Sequence, residues 1–511
     1  MEIKALGDKV ILVELAPDGE TIPLTQVLAV ADRVRDASRP GVEDVVPGLT
    51  AVAVHLQSNA SWQEAAQWIE RLLTDLPKQG ARSDAVKSSR EIEIPVIYGK
   101  GYGLDLNEVA KQSGLSPEAV VERHAAGIYE VQAIGFAPGF PYLGGLEEAL
   151  HCPRRKTPRT AVPGGSVGIG GRQTGVYPLT MPGGWNLIGR TPLQLFDPTR
   201  EGRSPSLLQA GDRVRFRAIN EAEFDRLLAE STATTTRAPF GPKGGAEIEI
   251  LEPGVQTTVQ DSRRSGFQRW GVTTGGSMNA RAARVANALV GNFQDAAVLE
   301  WAVQGPRIYF NDTRVLAVTG ATITGAPFAR AFEVNAGEVV DLSRITSGYR
   351  GVLAISGGID VPLVLGSRST YLAAGFGGFK GRALKKGDHL GLGECRIHKV
   401  ELGWYPTPLI LFPPDAEPGK VRFVRGPEWE WFDETTRTEF TTASFEVQAQ
   451  SNRMGIRLGG RKLSLATDNQ MISQPVTAGT VQVPPDGDPI VLMADRQSLG
   501  GYPRLANVIW T

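Results

Sequence analysis

The sequence predicts a mainly β protein of several domains that begins with a small α+β region. At 511 residues the chain is longer than one hydrophobic core usually serves, which favours two to four domains. Its 60 glycines and 34 prolines form no low-complexity run, so they are typical of many turns between short strands. A Gly-acid turn followed by a strand pattern also recurs, at Gly211-Asp212, Gly337-Glu338 and Gly387-Asp388.

Residues 1–90 are predicted to form the α+β domain. The valine-rich segments Lys9–Leu15 and Leu49–Leu56 predict strands. Leu24–Ala37 and Ser61–Leu76 predict helices, the second capped by its first residue. Strands and helices in this order are typical of a split β-α-β layout.

Residues 91–230 are predicted to form a β-barrel domain. The strand Glu91–Tyr98 precedes two helices, and short strands with Gly/Pro turns follow from Ile128 onward. An alternating strand at Arg213–Arg217 closes this region. The stretch 231–246 is rich in Ser, Thr, Gly and Pro and is therefore predicted to be a linker.

The second half is predicted to contain two further domains, 247–395 and 396–511. It opens with a strand at Glu247–Leu251 and contains one strong amphipathic helix at Asn279–Val290. Because the Gly-acid turn recurs before strand patterns here, we expect more than one barrel in this half.

The composition argues against several classes of function. With 54 basic and 55 acidic residues and no basic tract interleaved with aromatic residues, we expect no binding to nucleic acid. No apolar stretch approaches the ~20 residues of a membrane-spanning helix. Two cysteines, Cys152 and Cys395, indicate a reducing compartment, so we expect a cytoplasmic protein. The five histidines lie at no metal-ligand spacing, so we expect no metal site.

One polar phrase occurs twice in the chain. Arg172-Gln-Thr-Gly-Val-Tyr-Pro178 recurs, with one extra residue, as Arg496-Gln-Ser-Leu-Gly-Gly-Tyr-Pro503, and each copy follows a Gly-hydroxyl-Val step. An arginine, an amide, a hydroxyl and a phenol among glycines are typical of a polar small-molecule site. We interpret the copies as equivalent strands of two related barrels. The first barrel continues to Phe216, whereas eight residues follow the second copy, so we expect the last barrel to lack its closing strand through truncation or an unrecognised tail.

The block from Gly135 to Gly189 contains thirteen glycines, which let backbone N–H groups approach a ligand closely. It also contains four arginines, whose planar guanidinium groups suit carboxylate or phosphate: Arg154, Arg155, Arg159 and Arg172. The alternative is a set of tight barrel turns with solvated arginines. Because Gln173, Thr174 and Tyr177 cluster with them, the two interpretations are evenly balanced.

In the second half, Gln260–Gly266 leads into Gly275–Asn279 at a predicted helix start. The free N–H groups of a helix N-terminus favour an anion. Ordinary capping by Ser277 or Asn279 is the simpler interpretation and the one we prefer. The sequence contains no phosphate-binding P-loop, no Rossmann fingerprint and no serine nucleophile elbow.

Two more polar groups complete the candidates. Ser356–Asp360 and Gly366–Thr370 form a pair of Gly-rich polar loops. Asp495 precedes the second copy of the phrase. It is a candidate general base, an anchor for a substrate amine, or the partner of Arg496 in a structural ion pair.

Together these blocks resemble two known families. The first half resembles the family named allophanate hydrolase subunit 1, which includes KipI and the B subunit of 5-oxoprolinase. The motifs that carry this first resemblance are Gly135–Gly145, Thr157–Arg159, Ser166–Ile169, Gln173–Gly175 and Pro182–Trp185. The second half resembles allophanate hydrolase subunit 2, which includes KipA, the C subunit of 5-oxoprolinase and the carboxyltransferase region of urea amidolyase. The motifs that carry this second resemblance are Gly357–Asp360, Leu365–Thr370, Ser451–Gly455, Val483–Gly487, Met493–Asp495 and Gly500–Pro503.

The resemblance implies a fusion of the two subunits with cyclophilin-like barrels, one in the first half and two in the second. It implies a component of an ATP-dependent 5-oxoprolinase, which uses ATP with Mg²⁺ to activate the lactam and works with a separate A subunit that completes its opening to glutamate. It implies catalytic or orienting roles for Asp495, Tyr502, Gln497, Gln173 and Tyr177. It implies substrate or phosphate binding by Arg155, Arg159, Ser166, Arg172, Thr174, Arg368, Ser369 and Arg496.

Some positions depart from these families, and two other functions stay open. Ser262 and Arg263 stand where relatives have leucine and glycine, and Asn279 stands where many have aspartate. One alternative is a biotin-dependent carboxyltransferase of urea amidolyase type, with biotin on a separate carrier because this sequence has no biotinylation motif. The other is a regulator of a histidine kinase, in the manner of KipI and KipA. The expected partners are the A subunit of 5-oxoprolinase, a small amide or lactam and, in a homo-oligomer, further copies of this chain.

Overall fold

The computed structural model describes residues 1–16, 22–74, 90–200, 204–233, 245–395, 420–466 and 471–509. Contacts divide the chain into two compact units. Unit 1 contains Met1–Arg237, Gly266–Thr273 and Arg422–Trp510, and unit 2 contains Ala238–Ser265 and Thr274–Val421. Most of the predicted linker 231–246 lies outside the described residues, as do the first residues of the predicted domain 396–511. The predicted domain boundaries stay a prediction.

Unit 1 begins with a four-stranded antiparallel sheet packed against two helices. Its elements are β1 (Glu2–Ala5), β2 (Val10–Glu14), α1 (Leu24–Asp36), β3 (Val42–Pro47), β4 (Ala51–Leu56) and α2 (Trp62–Leu73). The sheet order is β1-β2-β4-β3, so β2 and β3 flank β4 in the expected split β-α-β layout. Ser61 caps α2, since its hydroxyl accepts a hydrogen bond from the Glu64 amide. Strands β1 and β3 are not predicted from the sequence.

The next part of unit 1 is a closed seven-stranded barrel. This region contains nine strands, of which seven form the barrel: β5 (Glu91–Tyr98), β6 (Ile128–Ile134), β7 (Pro141–Gly144), β8 (Arg159–Val162), β9 (Ser166–Gly170), β10 (Gln173–Val176), β11 (Met181–Gly183), β12 (Asn186–Arg190) and β13 (Arg213–Ala218). Three helices accompany them: α3 (Leu106–Ser113), α4 (Pro117–Ala126) and α5 (Glu221–Ala233). The barrel order is β10-β7-β6-β13-β5-β12-β9, and β8 pairs separately with β11. As predicted, β13 closes the barrel, because it pairs in parallel with β5 and antiparallel with β6.

Unit 2 is built on two five-stranded sheets around one core. The strands are β14 (Glu247–Glu252), β15 (Gln256–Gln260), β16 (Val298–Ala302), β17 (Arg307–Phe310), β18 (Arg314–Thr319), β19 (Thr322–Ile323), β20 (Ala331–Val334), β21 (Val339–Asp341), β22 (Ile345–Ser347), β23 (Arg350–Ile355), β24 (Ile359–Asp360) and β25 (His389–Leu392). The sheet orders are β21-β17-β14-β25-β24 and β15-β16-β23-β18-β20. The predicted helix is present as α6 (Ala280–Leu289), and its alanine-rich face packs on β18 and β23.

The last part of unit 1 is a six-stranded sheet with one helix. Its elements are β26 (Phe423–Arg425), α7 (Glu434–Thr442), β27 (Glu446–Val447), β28 (Gly455–Gly459), β29 (Gln474–Pro475), β30 (Thr480–Gln482), β31 (Ile490–Leu492), β32 (Leu499–Gly500) and β33 (Arg504–Val508). Its order, β26-β33-β30-β31-β28-β27, repeats the barrel order β5-β12-β9-β10-β7-β6. Within the described residues no strand joins β26 to β27 as β13 joins β5 to β6. The truncation expected from the sequence stays a prediction.

The interpretation of the repeated phrase as two equivalent strands is wrong. In the first copy Gln173–Val176 form β10, which pairs with β9 and β7. In the second copy Leu499–Gly500 form β32, which pairs with β29. The place beside β30 is already taken by β31, so the second copy of the phrase follows that strand instead of forming it.

The predicted fold class, mainly β with an α+β region, is confirmed. The described residues are mostly strands and turns, with one closed barrel in the first half. The number of barrels in the second half stays a prediction. No helix in the described ranges is long and apolar enough to cross a membrane.

Candidate functional site

The regions around the two copies of the phrase meet inside unit 1, in an aromatic cluster. The Phe140 ring lies 5.2 Å from that of Tyr177 and 5.5 Å from that of Trp185, both in edge-on contact. Leu499, from the second copy, is fully buried in the same cluster. Gly135 leaves room for it, since a Cβ atom there would come within 2.5 Å of the Leu499 side chain. Both halves of the sequence therefore contribute side chains to one buried cluster.

Tyr177, predicted to orient a substrate, is a buried and neutral phenol. Burial raises the pKa of its hydroxyl to about 12, so the group keeps its proton at neutral pH and can donate a hydrogen bond. The ring lies tightly against Gly183, where a Cβ atom would approach the Tyr177 oxygen to 2.4 Å. This close fit fixes the position of the phenol.

Beside this cluster, Arg154 places an exposed guanidinium group near two hydroxyl groups. Its guanidinium carbon lies 5.9 Å from the centre of the Trp185 ring, within cation–π range. Ser473 lies beside Tyr142, a buried phenol whose pKa is raised by that burial. A Cβ atom at Gly501 would lie 3.7 Å from Ser473 Oγ and 3.9 Å from Arg154 Nη1. A cation, two hydroxyl groups and an open glycine backbone thus converge here.

Asp105 holds the two arginines that were predicted to bind phosphate. Its carboxylate accepts one hydrogen bond from Arg155 Nη1 and two from Arg159, all at 2.8 Å. The Leu187 amide donates a fourth, also at 2.8 Å. Burial alone would raise the pKa of Asp105, but the hydrogen bonds from Arg159 and Leu187 outweigh it and hold the pKa below its usual value. Both terminal nitrogens of Arg159 and one of Arg155 are therefore used inside the fold.

Thr174 lies in a polar chain inside the barrel. His124 Nε2 is 2.9 Å from Thr174 Oγ1, and His124 Nδ1 is 2.8 Å from the Tyr98 hydroxyl. Because Thr174 Oγ1 donates to the Gly168 carbonyl at 3.0 Å, it accepts from Nε2–H, so Tyr98 donates to Nδ1. Burial lowers the pKa of His124 to about 3, which agrees with this neutral tautomer. Thr174 is fully buried, and its predicted role in ligand binding stays a prediction.

The other candidates of the first half lie at the start of β9 and β10. Gln173 Nε2 donates to Gln132 Oε1 at 2.8 Å, which fixes its amide at the barrel surface. Arg172, next to it, is exposed and makes no hydrogen bond to a described residue. Ser166 is buried, and its carbonyl accepts a hydrogen bond from the Tyr177 amide at 2.9 Å.

In the second copy of the phrase, the predicted acid belongs to a buried ion pair. Asp495 accepts hydrogen bonds from Arg453 Nε at 2.9 Å and from Arg453 Nη2 at 3.1 Å. Arg496, also buried, donates to Gln268 Oε1 at 2.6 Å, and the Gln268 amide donates to Asp44 Oδ2 at 2.8 Å. The phrase is thereby tied to a chain segment more than two hundred residues away.

The remaining candidates in this part of unit 1 reach solvent. Tyr502 is 40% exposed, and its carbonyl accepts a hydrogen bond from Gln482 Nε2 at 3.0 Å. Gln497 is half-buried. Both can therefore contact a small molecule without any movement of the backbone.

In unit 2 the predicted polar segments come together around Asp261. This buried carboxylate accepts hydrogen bonds from Ser367 Oγ at 2.8 Å, from the Arg368 amide at 2.6 Å and from the Ser369 hydroxyl. Arg368 also donates through Nε to the Val361 carbonyl at 2.9 Å. The carboxylate holds the loop in one conformation, with Ser369 buried and Arg368 half-buried.

The start of α6 is satisfied from within unit 2, as the capping interpretation predicts. The Asn279 side chain accepts a hydrogen bond from the Ala282 amide at 3.0 Å. Glu300 accepts from the Met278 amide at 2.7 Å and from Ser277 Oγ at 2.6 Å. A carboxylate of the protein thus occupies the position that an anion would take.

Sequence reasoning missed the partners that organise these groups. Asp105 stands at the N-cap position of α3, yet its side chain makes no capping bond and binds arginines instead. His124 is one of the five histidines that lie at no metal-ligand spacing, and it links α4 to β10 through Thr174. Arg453 lies in a motif that resembles allophanate hydrolase subunit 2, and this is the one signal that could have identified it. Nothing in the local sequence marks Ser473.

The arrangement in unit 1 gathers polar groups of different chemistry beside the aromatic cluster. It offers an exposed cation, neutral phenols as donors, and amides held by their neighbours. Within the described ranges, no group of three or more His, Cys, Asp or Glu side chains could hold a metal ion.

Comparison with known proteins places both halves of the chain in one family. Residues 1–208 match the family model of the carboxyltransferase domain, subdomains C and D, and residues 270–511 match that of subdomains A and B. The chain is 47% identical over 212 residues to the B subunit of 5-oxoprolinase from Escherichia coli O157:H7, a match that covers 41% of this chain and 93% of that protein. It is 38% identical over 268 residues to the C subunit of 5-oxoprolinase from Escherichia coli strain K12, covering 51% of this chain and 84% of that protein.

A solved structure matches the whole fold. The crystal structure of the protein TTHA0988 superposes with a TM-score of 0.80 at 33% identity, covering 98% of this chain and 95% of that one. The two family models match opposite halves of the chain, as the sequence motifs predict. The chain therefore belongs to the family of the B and C subunits of 5-oxoprolinase, and it carries the regions related to both subunits in one polypeptide.

Proposed function

We propose that this chain is the B–C component of an ATP-dependent 5-oxoprolinase. It binds 5-oxoproline and presents the lactam for opening to glutamate, together with a separate A subunit. One observation carries the proposal: regions related to the B and C subunits are joined in one chain, and both contribute to the same cluster in unit 1. The site that this cluster lines combines groups suited to a lactam and to a carboxylate.

The chemistry of 5-oxoproline fits the groups in unit 1. A lactam carbonyl is a hydrogen-bond acceptor, and a neutral phenol such as Tyr502 or Tyr177 can donate to it. The lactam N–H needs an acceptor, which the amide oxygen of Gln173 or Gln497 can provide. The substrate carboxylate needs a guanidinium group. In this proposal Asp495 acts through Arg453 and positions the second copy of the phrase.

ATP, when bound, supplies the phosphoryl group that activates the lactam oxygen. The described residues fit its phosphates only in part. Arg155 and Arg159 donate to Asp105, whereas Arg172 is exposed and makes no hydrogen bond to a described residue. No step of the proposal depends on where ATP and Mg²⁺ bind, and their use by this chain stays a proposal, as do a cytoplasmic location and a homo-oligomer.

The test is reconstitution with a matching A subunit. The purified chain and the A subunit are mixed with 5-oxoproline and ATP, and glutamate release is measured against each protein alone and against the mixture without ATP. Glutamate release that requires both proteins and ATP supports the proposal. Release of no glutamate by the complete mixture would refute it.

A second candidate function is carboxyl transfer from carboxybiotin to a small amide. The observation that favours it is the match of both halves to carboxyltransferase subdomains. The same purified chain is incubated with carboxybiotin and with urea or 5-oxoproline as acceptor. Transfer of the carboxyl group without glutamate formation would favour this function over the first.

A further inference from the structure

We propose that Arg154, Ser473 and the open backbone at Gly501 bind the carboxylate of the substrate, an inference that rests on the proposed 5-oxoprolinase function. These residues are thus the specificity determinants for a lactam that carries a carboxylate. None of the three is among the site residues that the family resemblance implies. Three features support this site: the charge of Arg154, the space at Gly501 and the origin of the contributing segments.

Arg154 is an arginine of the Gly-rich block whose charge is both unpaired among the described residues and held in place. Its neighbours in sequence, Arg155 and Arg159, donate to Asp105. Arg154 makes no hydrogen bond or ion pair with a described residue, and it is exposed. Its guanidinium carbon lies 5.9 Å from the centre of the Trp185 ring, within cation–π range, and its N–H donors have no partner among the described residues, so they are available to an anion.

The space for that anion lies at Gly501. A Cβ atom built on this glycine meets no atom closer than 3.7 Å, and the two nearest atoms are Ser473 Oγ and Arg154 Nη1. One small group at this point can therefore contact the hydroxyl and the guanidinium together. Ser473 itself is buried, and its oxygen is the nearest atom to the Cβ position of Gly501. A carboxylate has two acceptor oxygens and suits this pair of donors.

The three residues come from both family regions. Arg154, Tyr142 and Trp185 lie in the region that matches subdomains C and D, whereas Ser473 and Gly501 lie in the region that matches subdomains A and B. The carboxylate site is therefore complete only where the two regions pack together in unit 1. Substrate binding then requires both halves of the chain.

Two substitutions test the site in the full chain by isothermal titration calorimetry. The probes are 5-oxoproline and 2-pyrrolidinone, which is the same lactam without the carboxylate. R154A removes the cation, and we expect it to weaken 5-oxoproline binding about 10- to 100-fold, the usual range for hydrogen bonds to a charged group. G501A adds a methyl group in the proposed position of the carboxylate and is expected to weaken 5-oxoproline binding by at least about tenfold.

G184A is the matched control. A Cβ atom at Gly184 also has space, since its nearest atoms are the Pro158 side chain at 3.6 Å and the Arg155 carbonyl oxygen at 3.9 Å, and neither Arg154 nor Ser473 is among them. G184A and G501A should both unfold at the wild-type temperature, since each methyl group makes only ordinary contacts. R154K keeps the charge and should recover part of the affinity that R154A loses, which guards against a misfolded R154A protein.

The outcomes separate the site from the proposed function. Loss of 5-oxoproline binding in R154A and G501A, with G184A unchanged and 2-pyrrolidinone binding unaffected, supports the site. Unchanged 5-oxoproline affinity in R154A, an equal loss for both ligands, or no binding of 5-oxoproline to the wild-type chain overturns it. If reconstitution with the A subunit releases no glutamate while Arg154-dependent binding persists, the proposed function fails and the carboxylate site stands.

Discussion

Replacing Asp495 by asparagine removes a buried charge with little change of shape. The carboxylate faces Arg453 at 2.9 Å, and the two side chains are only 3% and 4% exposed. D495N leaves the buried guanidinium without the carboxylate that neutralises it. We therefore expect D495N to destabilise unit 1, whatever its effect on activity.

The structure sets the size of this effect. Removing one partner of a buried ion pair costs about 3–5 kcal/mol, and D495N should lie near the lower end because asparagine keeps one acceptor oxygen. R453M should cost a similar amount, since it leaves Asp495 buried. The double variant R453M/D495L should lie within about 1–2 kcal/mol of the wild type, because neither charge is then buried.

Urea unfolding followed by tryptophan fluorescence measures these differences. Of the described tryptophans, Trp301 lies in unit 2 and the following lie in unit 1: Trp62, Trp68, Trp185, Trp270, Trp429 and Trp431. The signal therefore reports mainly on unit 1. Midpoints and slopes give the free energy of unfolding of each of the four proteins.

One result would refute this reasoning. If D495N unfolds within about 0.5 kcal/mol of the wild type and yet abolishes glutamate release by the reconstituted enzyme, then the ion pair contributes little to stability. Asp495 would then take part in the chemistry, as the family resemblance implies. A large loss of stability that the double variant recovers supports the positioning role.

Two further predictions concern acid stability of the barrel. The pKa of Asp105 is lowered in the folded protein, so the ionised carboxylate stabilises the fold above its ordinary pKa of 3.8. This stabilisation is lost as the pH falls through the pKa that Asp105 has in the folded protein. The difference in urea midpoint between wild type and D105N should therefore shrink over that range. The pKa of His124 is lowered from 6.5 to about 3 in the folded protein. Below pH 6.5 the unfolded chain therefore binds a proton at this histidine that the folded chain does not bind. The free energy of unfolding should fall by about 1.4 kcal/mol per pH unit between pH 6 and 4. H124F should lower stability at pH 7, because Tyr98 and Thr174 lose a partner, but should make it less dependent on pH over this range. Equal pH dependence of wild type and H124F would show that His124 is not the group responsible.

The elements that sequence predicts well are those with local signals. Helix α2 begins after Ser61, and α4 begins with Ser116 as cap and Pro117 in its first turn, because caps and first-turn prolines act through neighbouring residues. The alternating pattern of β13 likewise indicates its two-sided environment. Strand β3, by contrast, is missed because Val42–Pro47 is short and carries two acids, one of which, Asp44, is buried by a partner far along the chain.

The candidate site is less predictable because its key contacts are between distant residues. Asp105 meets Arg159 across 54 positions, and Asp495 meets Arg453 across 42. Motifs identify residue types suited to anions, but not which of them the protein uses for itself. Arg155 and Arg159 pair with Asp105, and Arg154 beside them is exposed. These differences follow from the packing of β12 and α3 and not from the spacing of the residues in the sequence.

The composition of unit 1 bears on how such a chain can be divided among genes. Its residues come from both sides of the predicted linker near position 240, so a break in the polypeptide at that point does not separate two independently folded bodies. Expressed alone, the stretch before the break would expose to solvent the apolar surface that Leu499 covers. Two separately translated halves would have to find each other before either is complete, whereas a single reading frame supplies both in equal number and close together.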